Sequence, residues 1–141
     1  MTLPPLAGPR AFARHMLSDG RLQLAPIADG CRALHGAVEA IVFREGRWQI
    51  GVITLAPYVV VPRHRHNRVD SVELLLAGGG SAEVEGRVFG EPRGRFGAGL
   101  MRVPRAAWHE GHAGPNGVVW LSFQEWVDGA PGFVTEDWQS W

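Results

Sequence analysis

The stretch VPRHRHNRVDSVELLL, residues 61–76, carries the most informative pattern in this sequence. His64 and His66 are two residues apart, and residues i and i+2 of a β-strand face the same side, so both imidazoles can point at one spot. Neutral imidazoles are good ligands for iron, zinc, manganese, nickel or copper. A chance pair on an exposed strand between Arg63 and Arg65 fits equally well, so the pair alone leaves both interpretations open.

Apolar runs punctuated by glycine and proline surround this stretch and predict an all-β domain. Arg44-Glu45-Gly46 is a tight hairpin link, Pro62 ends a β-branched run, Gly78-Gly79-Gly80 is a hairpin turn, and residues 90–99 form a glycine-rich loop. With no long helix expected after residue 20, this spacing predicts a sandwich, barrel or jelly roll of seven to eight strands. The clearest predicted strands are 37–43, 47–55, 58–61, 71–76, 81–89, 100–104 and 117–126.

The chain divides into three predicted parts. Residues 1–36 are expected to form an irregular or short-helical N-terminal arm, in which prolines prevent a long helix and Ala11 to Leu17 could make about two turns. Residues 37–126 form the barrel. Residues 127–141 form an extended tail, rich in tryptophan, that packs on the barrel or on a partner subunit.

Composition excludes several classes of function. The 141 residues are 45% hydrophobic and 20% charged, with a formal net charge of zero, which argues against nucleic-acid and anionic-membrane partners. All 14 basic residues are arginine, so a Schiff-base lysine and a phosphate-loop lysine are both excluded. Cys31 is the only cysteine, and no apolar run has the length of a signal peptide or membrane span. These features predict a cytoplasmic globular domain.

A second histidine pair lies in PRAAWHEGH, residues 104–112. His109 and His112 are three residues apart and would face opposite sides of a strand, so at most one is expected to be a direct ligand. Together with His64 and His66, the spacing from Pro104 to His109 resembles the two short motifs of the cupin superfamily. Ala106 stands where that family has glycine, and neither the preceding glycine nor the following asparagine of the second motif is matched.

The acidic residue of the first cupin motif has two candidates. Counting forward from His66 gives Asp70, whereas counting back from Gly80 gives Glu73, and the two have opposite strand parity. We favour Glu73, because a carboxylate inside the apolar run SVELLL would be costly unless it is paired or bound to a metal. Asp70 more naturally ends a turn. An outward-facing Glu73 on a half-exposed strand stays open as an alternative.

The resemblance implies a cupin-like jelly-roll barrel, also called a double-stranded β-helix, that holds one divalent transition metal. The implied ligands are His64, His66, Glu73 and His109, and the implied metal is iron, manganese, nickel or zinc. Similar cupins include dioxygenases, isomerases and lyases on small organic acids and sugars, so a mononuclear metalloenzyme on such a substrate is the leading hypothesis. A non-catalytic binding or sensing module is the alternative. Jelly rolls of this type often form homodimers, which we also expect here.

Several residues are weaker candidates for contact with a small-molecule substrate. In GVVWLSFQEW, residues 117–126, alternation sets Trp120, Ser122 and Gln124 on one face and Phe123 on the other, and either face could point inward. Arginine side chains could bind a carboxylate through two hydrogen bonds. The candidate substrate-binding residues are Arg102, Trp108, His112, Trp120 and Gln124.

Overall fold

The computed structural model describes residues 2–20, 22–23, 27, 30–90 and 100–141. This part of the chain is mostly β-strand, arranged in one curled antiparallel sheet behind a single N-terminal helix. The predicted all-β jelly roll is therefore confirmed. In chain order the elements are α1 (Pro9–Asp19), β1 (Cys31–Leu34), β2 (Ala37–Glu45), β3 (Trp48–Leu55), β4 (Val60–Arg65), β5 (Val69–Val84), β6 (Arg87–Gly90), β7 (Leu100–Val103), β8 (His109–Trp126), a 3-10 helix (Val134–Glu136) and β9 (Gln139–Ser140).

Strand β8 is the central strand of the barrel. Its second half pairs with β3, its first half pairs with β4, and nearly its whole length pairs with β5. Strand β5 also pairs with β6 and β7, and β4 pairs with β9. Because one long strand contacts both halves of the sheet, residues far apart in sequence meet at the mouth of the barrel.

Helix α1 covers the outer face of the sheet with an apolar side. Pro9 lies in its first turn, where a missing N–H costs nothing, and Gly20 ends it in the left-handed conformation. Phe12 is fully buried and packs edge-on against Phe123 of β8. Phe123 therefore fills the core beneath the helix, while its neighbours in the strand alternation face the interior of the barrel.

Strand β5 corrects the prediction of a hairpin at the triple glycine. Residues 71–76 and 81–84 belong to one continuous strand, which bends with register shifts near Gly78 and Gly80. A Cβ atom at either position would collide with a backbone carbonyl of β8, that of Gly117 or that of His112. The glycines therefore allow two strands to cross closely, and the actual hairpin turn lies at Glu85 and Gly86, before β6.

Two other predicted boundaries also shift. Pro62 was expected to end its strand, but β4 continues through it, because the proline lies where the register with β8 is irregular and no ladder N–H is needed. The hairpin between β2 and β3 turns at Gly46-Arg47, slightly later than the predicted link at Arg44-Glu45-Gly46. The sheet also begins earlier, since β1 lies within the predicted arm and pairs with β2.

The remaining parts of the chain bear on two further expectations. The predicted glycine-rich loop 90–99 lies outside the described residues, apart from Gly90 at the end of β6. Residues 127–141, expected as an extended tail, contain the short 3-10 helix and β9, which pairs with β4. Within the described residues, no helix has the length and apolar character needed to cross a membrane.

Candidate metal centre

Three histidines meet at the mouth of the barrel. His64 lies in β4 directly opposite His109, the first residue of β8, and His66 follows the end of β4. The turn before His109 contacts His66 directly, because the backbone N–H of Ala106 donates a hydrogen bond to the carbonyl oxygen of His66 at 2.6 Å. Pairing of β4 with β8 thus brings together the two histidine motifs that the sequence separates by more than forty residues.

Backbone carbonyls determine which nitrogen of each imidazole carries the proton. The Nδ1 atoms of His64, His66 and His109 lie 2.7, 2.7 and 2.8 Å from the carbonyl oxygens of Pro62, Asp137 and Ala107. A carbonyl oxygen can only accept a hydrogen bond, so each Nδ1 must donate its proton. In the neutral imidazoles, all three Nε2 atoms therefore keep a free lone pair.

The Nε2 lone pairs converge closely enough to share one ion. One ring nitrogen from each histidine belongs to a group in which all ligand atoms lie within 4.8 Å of one another. The Nε2 atoms of His64 and His66 are 3.2 Å apart, with no proton available to bridge them. Two metal–nitrogen bonds of about 2.1 Å span such a separation. The triad therefore fits a divalent transition metal in both donor type and spacing.

The protonation state of the three histidines also favours metal binding. Burial, together with the positive charge that neighbouring histidines would carry, lowers the pKa of His64 to about 2 and that of His109 to about 4. Burial also lowers the pKa of His66. Near neutral pH the three imidazoles are uncharged, which is the form that coordinates a metal.

The C-terminal segment holds two of the three imidazoles in place. The indole of Trp138 stacks on His64 with ring centres 3.5 Å apart and ring planes 7° apart. The neighbouring residue, Asp137, supplies the carbonyl that accepts the Nδ1 proton of His66. Sequence analysis did not assign this segment to the site, because nothing in its composition indicates which part of the barrel it contacts.

The histidine triad opens into a cavity whose lining includes two buried glutamates, Glu39 and Glu73. Glu110 also borders the cavity, but its carboxylate lies beside the exposed imidazole of His112. Glu73 lines this cavity from β5, as favoured from its position inside the apolar run SVELLL. Its Oε1 accepts hydrogen bonds from Ser71 and Ser122 at 2.7 and 2.9 Å. Removal from solvent raises the pKa of Glu73 to about 7, although the two serine hydroxyls act in the opposite direction.

Glu73 lies outside the group of converging ligand atoms that the three histidines form. Its role as a fourth metal ligand therefore stays a prediction. Asp70, the other acidic candidate, is not among the described residues that line the cavity. Its carboxylate instead accepts the backbone N–H of Arg105 at 2.9 Å and lies 3.9 Å from the guanidinium of Arg102.

Glu39 adds a second buried carboxyl group deeper in the barrel. Its side chain is 2% exposed and accepts hydrogen bonds from Gln124 at 3.0 Å and from the backbone N–H of Val134 at 2.9 Å. Burial raises the pKa of Glu39 to about 7 despite these bonds. Sequence analysis missed this residue, although its place in the alternating run AVEAIVF, residues 37–43, is a signal for an inward carboxylate.

The five candidate substrate-binding residues do not lie together in the structure. Trp120 lines the cavity beside the triad, whereas the other four are not among the described lining residues. Gln124 is fully buried in a side-chain network with Glu39, Ser122 and Gln49.

The remaining three lie on the outside of the barrel. The side chain of Arg102 is 59% exposed beside Asp70. The indole of Trp108 contacts the guanidinium of Arg65. His112 places its Nε2 3.0 Å from the carboxylate of Glu110.

Comparisons with known proteins identify the fold. No protein-family model and no curated protein matches this sequence. Among solved structures, KdgF from Halomonas sp. is 20% identical, covers 67% of this chain and 84% of its own, and has a TM-score of 0.54. An RmlC-like cupin from Shewanella frigidimarina is 13% identical over 73% of this chain and 90% of its own, with a TM-score of 0.56.

A third similar structure is an oxalate oxidase. It is 11% identical, covers 70% of this chain and 55% of its own, and has a TM-score of 0.55. Identities this low establish a shared fold and say nothing about a shared reaction.

Proposed function

We propose that this protein, whose fold is that of the small cupins, binds one divalent transition-metal ion through His64, His66 and His109. We further propose that it is an enzyme, and that the bound ion takes part in a reaction on a small organic molecule held in the adjoining cavity. Iron, manganese, nickel and zinc all suit a set of imidazole donors. An ion of this kind supplies Lewis-acid polarisation of a substrate oxygen or, where it is redox-active, electron transfer.

The observation that carries this proposal is the hydrogen bonding of the three Nδ1 atoms. Each is committed to a backbone carbonyl, so each neutral ring keeps its lone pair on Nε2 and cannot donate from it. The Nε2 atoms of His64 and His66 lie 3.2 Å apart, and one ring nitrogen of each of the three histidines lies within 4.8 Å of the others. Converging lone pairs repel, and burial prevents protonation from relieving that repulsion. A bound cation would remove it, which is why the arrangement favours a metal over an ordinary packing role for these histidines.

The cavity supports a reaction on a small molecule. It lies beside the triad and is lined by apolar side chains together with a few polar groups, as binding sites for small organic molecules generally are. A dioxygenase, isomerase or lyase reaction is proposed by analogy with cupins of this size, and one similar structure is an oxalate oxidase. We also propose that the protein forms a homodimer and that it is cytoplasmic, as expected from the sequence. The free, exposed Cys31 is compatible with a reducing compartment.

Metal content tests the proposal directly. We expect untagged protein, reconstituted with iron(II), manganese(II), nickel(II) or zinc(II) and freed of excess ion, to hold one ion per chain by mass spectrometry. His64→Ala and His109→Ala should each lose it, because each removes one of three ligands. His112→Ala is the matched control and should keep the ion, since its imidazole pairs with Glu110 instead.

Either of two results would contradict the proposal. Wild-type protein that holds none of the four metals has no metal centre. Protein that loses its metal equally in the His112→Ala control has a centre built from other residues. Stoichiometric metal without turnover of any small organic substrate would favour the non-catalytic binding module over the enzyme.

A further inference from the structure

We propose that Glu73 recognises the substrate and does not bind the metal, and that this substrate is a small molecule that presents a hydroxyl or ammonium donor to Oε2 of Glu73. The inference rests on the proposed function, because the histidine triad is taken as the metal-binding end of the same cavity. It selects between the two substrate classes that the cupin resemblance implies, favouring hydroxylated, sugar-like molecules over organic acids.

Glu73 is set in the barrel wall beyond the histidines. It pairs with Ser122 of β8 on one side and with Met101 of β7 on the other, in the middle of the sheet. His64, His66 and His109 instead lie at strand ends near the mouth. The carboxyl group of Glu73 lines the same cavity as the triad but does not join its converging ligand atoms.

The two oxygens of Glu73 have different surroundings. Oε1 accepts two hydrogen bonds, from the hydroxyls of Ser71 and Ser122. Oε2 is buried and has no hydrogen-bond partner among the described protein residues. A carboxylate oxygen can accept more than one hydrogen bond, and one that is buried without any is costly. The serines therefore satisfy Oε1 and leave Oε2 as the oxygen without a partner, in a residue that lines the cavity.

The rest of the lining indicates what that molecule carries. Its walls near Glu73 are apolar and include Ile53, Met101 and Trp120. Besides the three histidines, the other buried ionisable group of the lining is the carboxyl of Glu39, because the carboxylate of Glu110 lies beside His112 on the outside. No arginine is among the described lining residues. The sequence contains no lysine at all. The proposed metal would compensate a substrate carboxylate at the histidine end of the cavity. At the Glu73 end a carboxylate would meet like charge with no arginine or lysine beside it, whereas a hydroxyl or ammonium donor would satisfy Oε2.

Four substituted pyridines of similar size can test this preference. The ring nitrogen of each is a metal donor, and the group in the para position differs: 4-(hydroxymethyl)pyridine and 4-(aminomethyl)pyridine carry a donor, 4-ethylpyridine carries none, and isonicotinate carries an anion. Their dissociation constants are measured by calorimetry on metal-loaded wild type, Glu73→Gln and Asp70→Asn. Metal content is measured on the same samples.

At pH 8, above the pKa of Glu73, we expect wild-type protein to bind the two donor-bearing probes about tenfold more tightly than 4-ethylpyridine, as a hydrogen bond to a charged acceptor provides. Isonicotinate should bind most weakly. Glu73→Gln should keep its metal but lose the advantage of the aminomethyl probe. Asp70→Asn removes a carboxylate outside the cavity and should behave as wild type. Ser122→Ala, which keeps the carboxyl but releases one hydrogen bond that orients it, should lose part of the preference.

Three results would overturn the inference. Loss of metal in Glu73→Gln would make Glu73 a ligand. Tightest binding of isonicotinate, or no preference among the four probes in wild type, would exclude a donor-selective carboxyl. A preference that survives in both Glu73→Gln and Ser122→Ala would place its origin elsewhere. Failure of the proposed function is distinct, because in that case wild-type protein itself holds no metal.

Discussion

Ala106 has an unusual backbone conformation in the turn that leads to His109. Its φ of +61° lies in the left-handed region, which a side chain with a Cβ atom disfavours. The conformation lets the N–H of Ala106 reach the carbonyl of His66. Glycine stands at this position in the cupin motif that the sequence resembles, and the structure supplies the physical reason.

Replacing Ala106 by glycine should stabilise the protein by about 0.5–1 kcal/mol, since the strain is relieved at the cost of a more flexible unfolded chain. The side chain is exposed, so little packing is lost. Urea unfolding of metal-free protein measures the change. Ala33→Gly, in the exposed part of β1, makes the same chemical change on extended backbone and should destabilise instead. Equal effects of the two substitutions would contradict the role given to the turn.

At the scale of elements, the C-terminal segment is the part of the chain that fixes the orientation of the triad. Strand β9 pairs with β4 at His64 and Arg65, and the residues just before it contact the imidazoles. Groups that orient metal ligands commonly change metal affinity by about 10- to 100-fold when they are removed. This segment should therefore matter for metal binding although it contributes no ligand.

Trp138→Ala is expected to weaken metal binding about tenfold, because His64 loses the ring that stacks against it. Competition with a chromophoric chelator measures the affinity. Trp141→Ala is the matched control: that indole is 75% exposed and contacts Trp108 and Arg63, away from the imidazoles. If both variants bind metal as wild type does, the C-terminal segment only covers the site.

For the whole molecule, buried ionisable groups couple stability to pH. The pKa of Glu73 rises from 4.5 to about 7 on folding, so the folded protein binds this proton more tightly than the unfolded chain does. Stability therefore falls as the pH rises from about 4.5 to 7. The lowered pKa values of the three histidines act in the opposite direction over part of this range.

Glu73→Gln isolates the contribution of the carboxyl, because the histidines are common to both proteins. Between pH 5 and pH 8 in the presence of a chelator, the free energy of unfolding of the variant should rise relative to wild type by about 2–3 kcal/mol. Urea titrations at several pH values provide the measurement. Asp70→Asn, which removes a carboxyl group outside the cavity, is the control substitution measured in parallel. A constant difference for Glu73→Gln would mean that its carboxyl ionises as in water.

Much of the site could be predicted from sequence because its signals are local. His64 and His66 share a face by strand periodicity alone, and the spacing from Pro104 to His109 belongs to a recognisable motif. The choice of Glu73 over Asp70 as the inward carboxylate also followed from a local argument, the cost of a charge within an apolar run. Strand alternation likewise placed Trp120 and Ser122 on the same face of β8, and both line the cavity.

Other features depended on contacts between distant segments. The triple glycine looks like a turn in sequence, but the close crossing of β5 over β8 makes it a bend inside one strand. Alternation could not decide which face of β8 points inward, because helix α1 covers one face and the cavity occupies the other, so both are buried. Gln124, assigned to the substrate, is instead held in a network with Glu39 and Gln49.

The sequence by itself thus determined the all-β fold and the two histidine motifs, since alternation, turn residues and spacing act over a few residues. Their convergence was implied by the cupin resemblance, and it depends on the pairing of β4 with β8. Only the tertiary structure decided that Trp138 and Asp137 hold the imidazoles, that three backbone carbonyls set their tautomers, and that carboxyl groups line the cavity. These features arise where strands and the C-terminal segment pack together, and packing between segments distant in sequence leaves no local signal in the residues that form it.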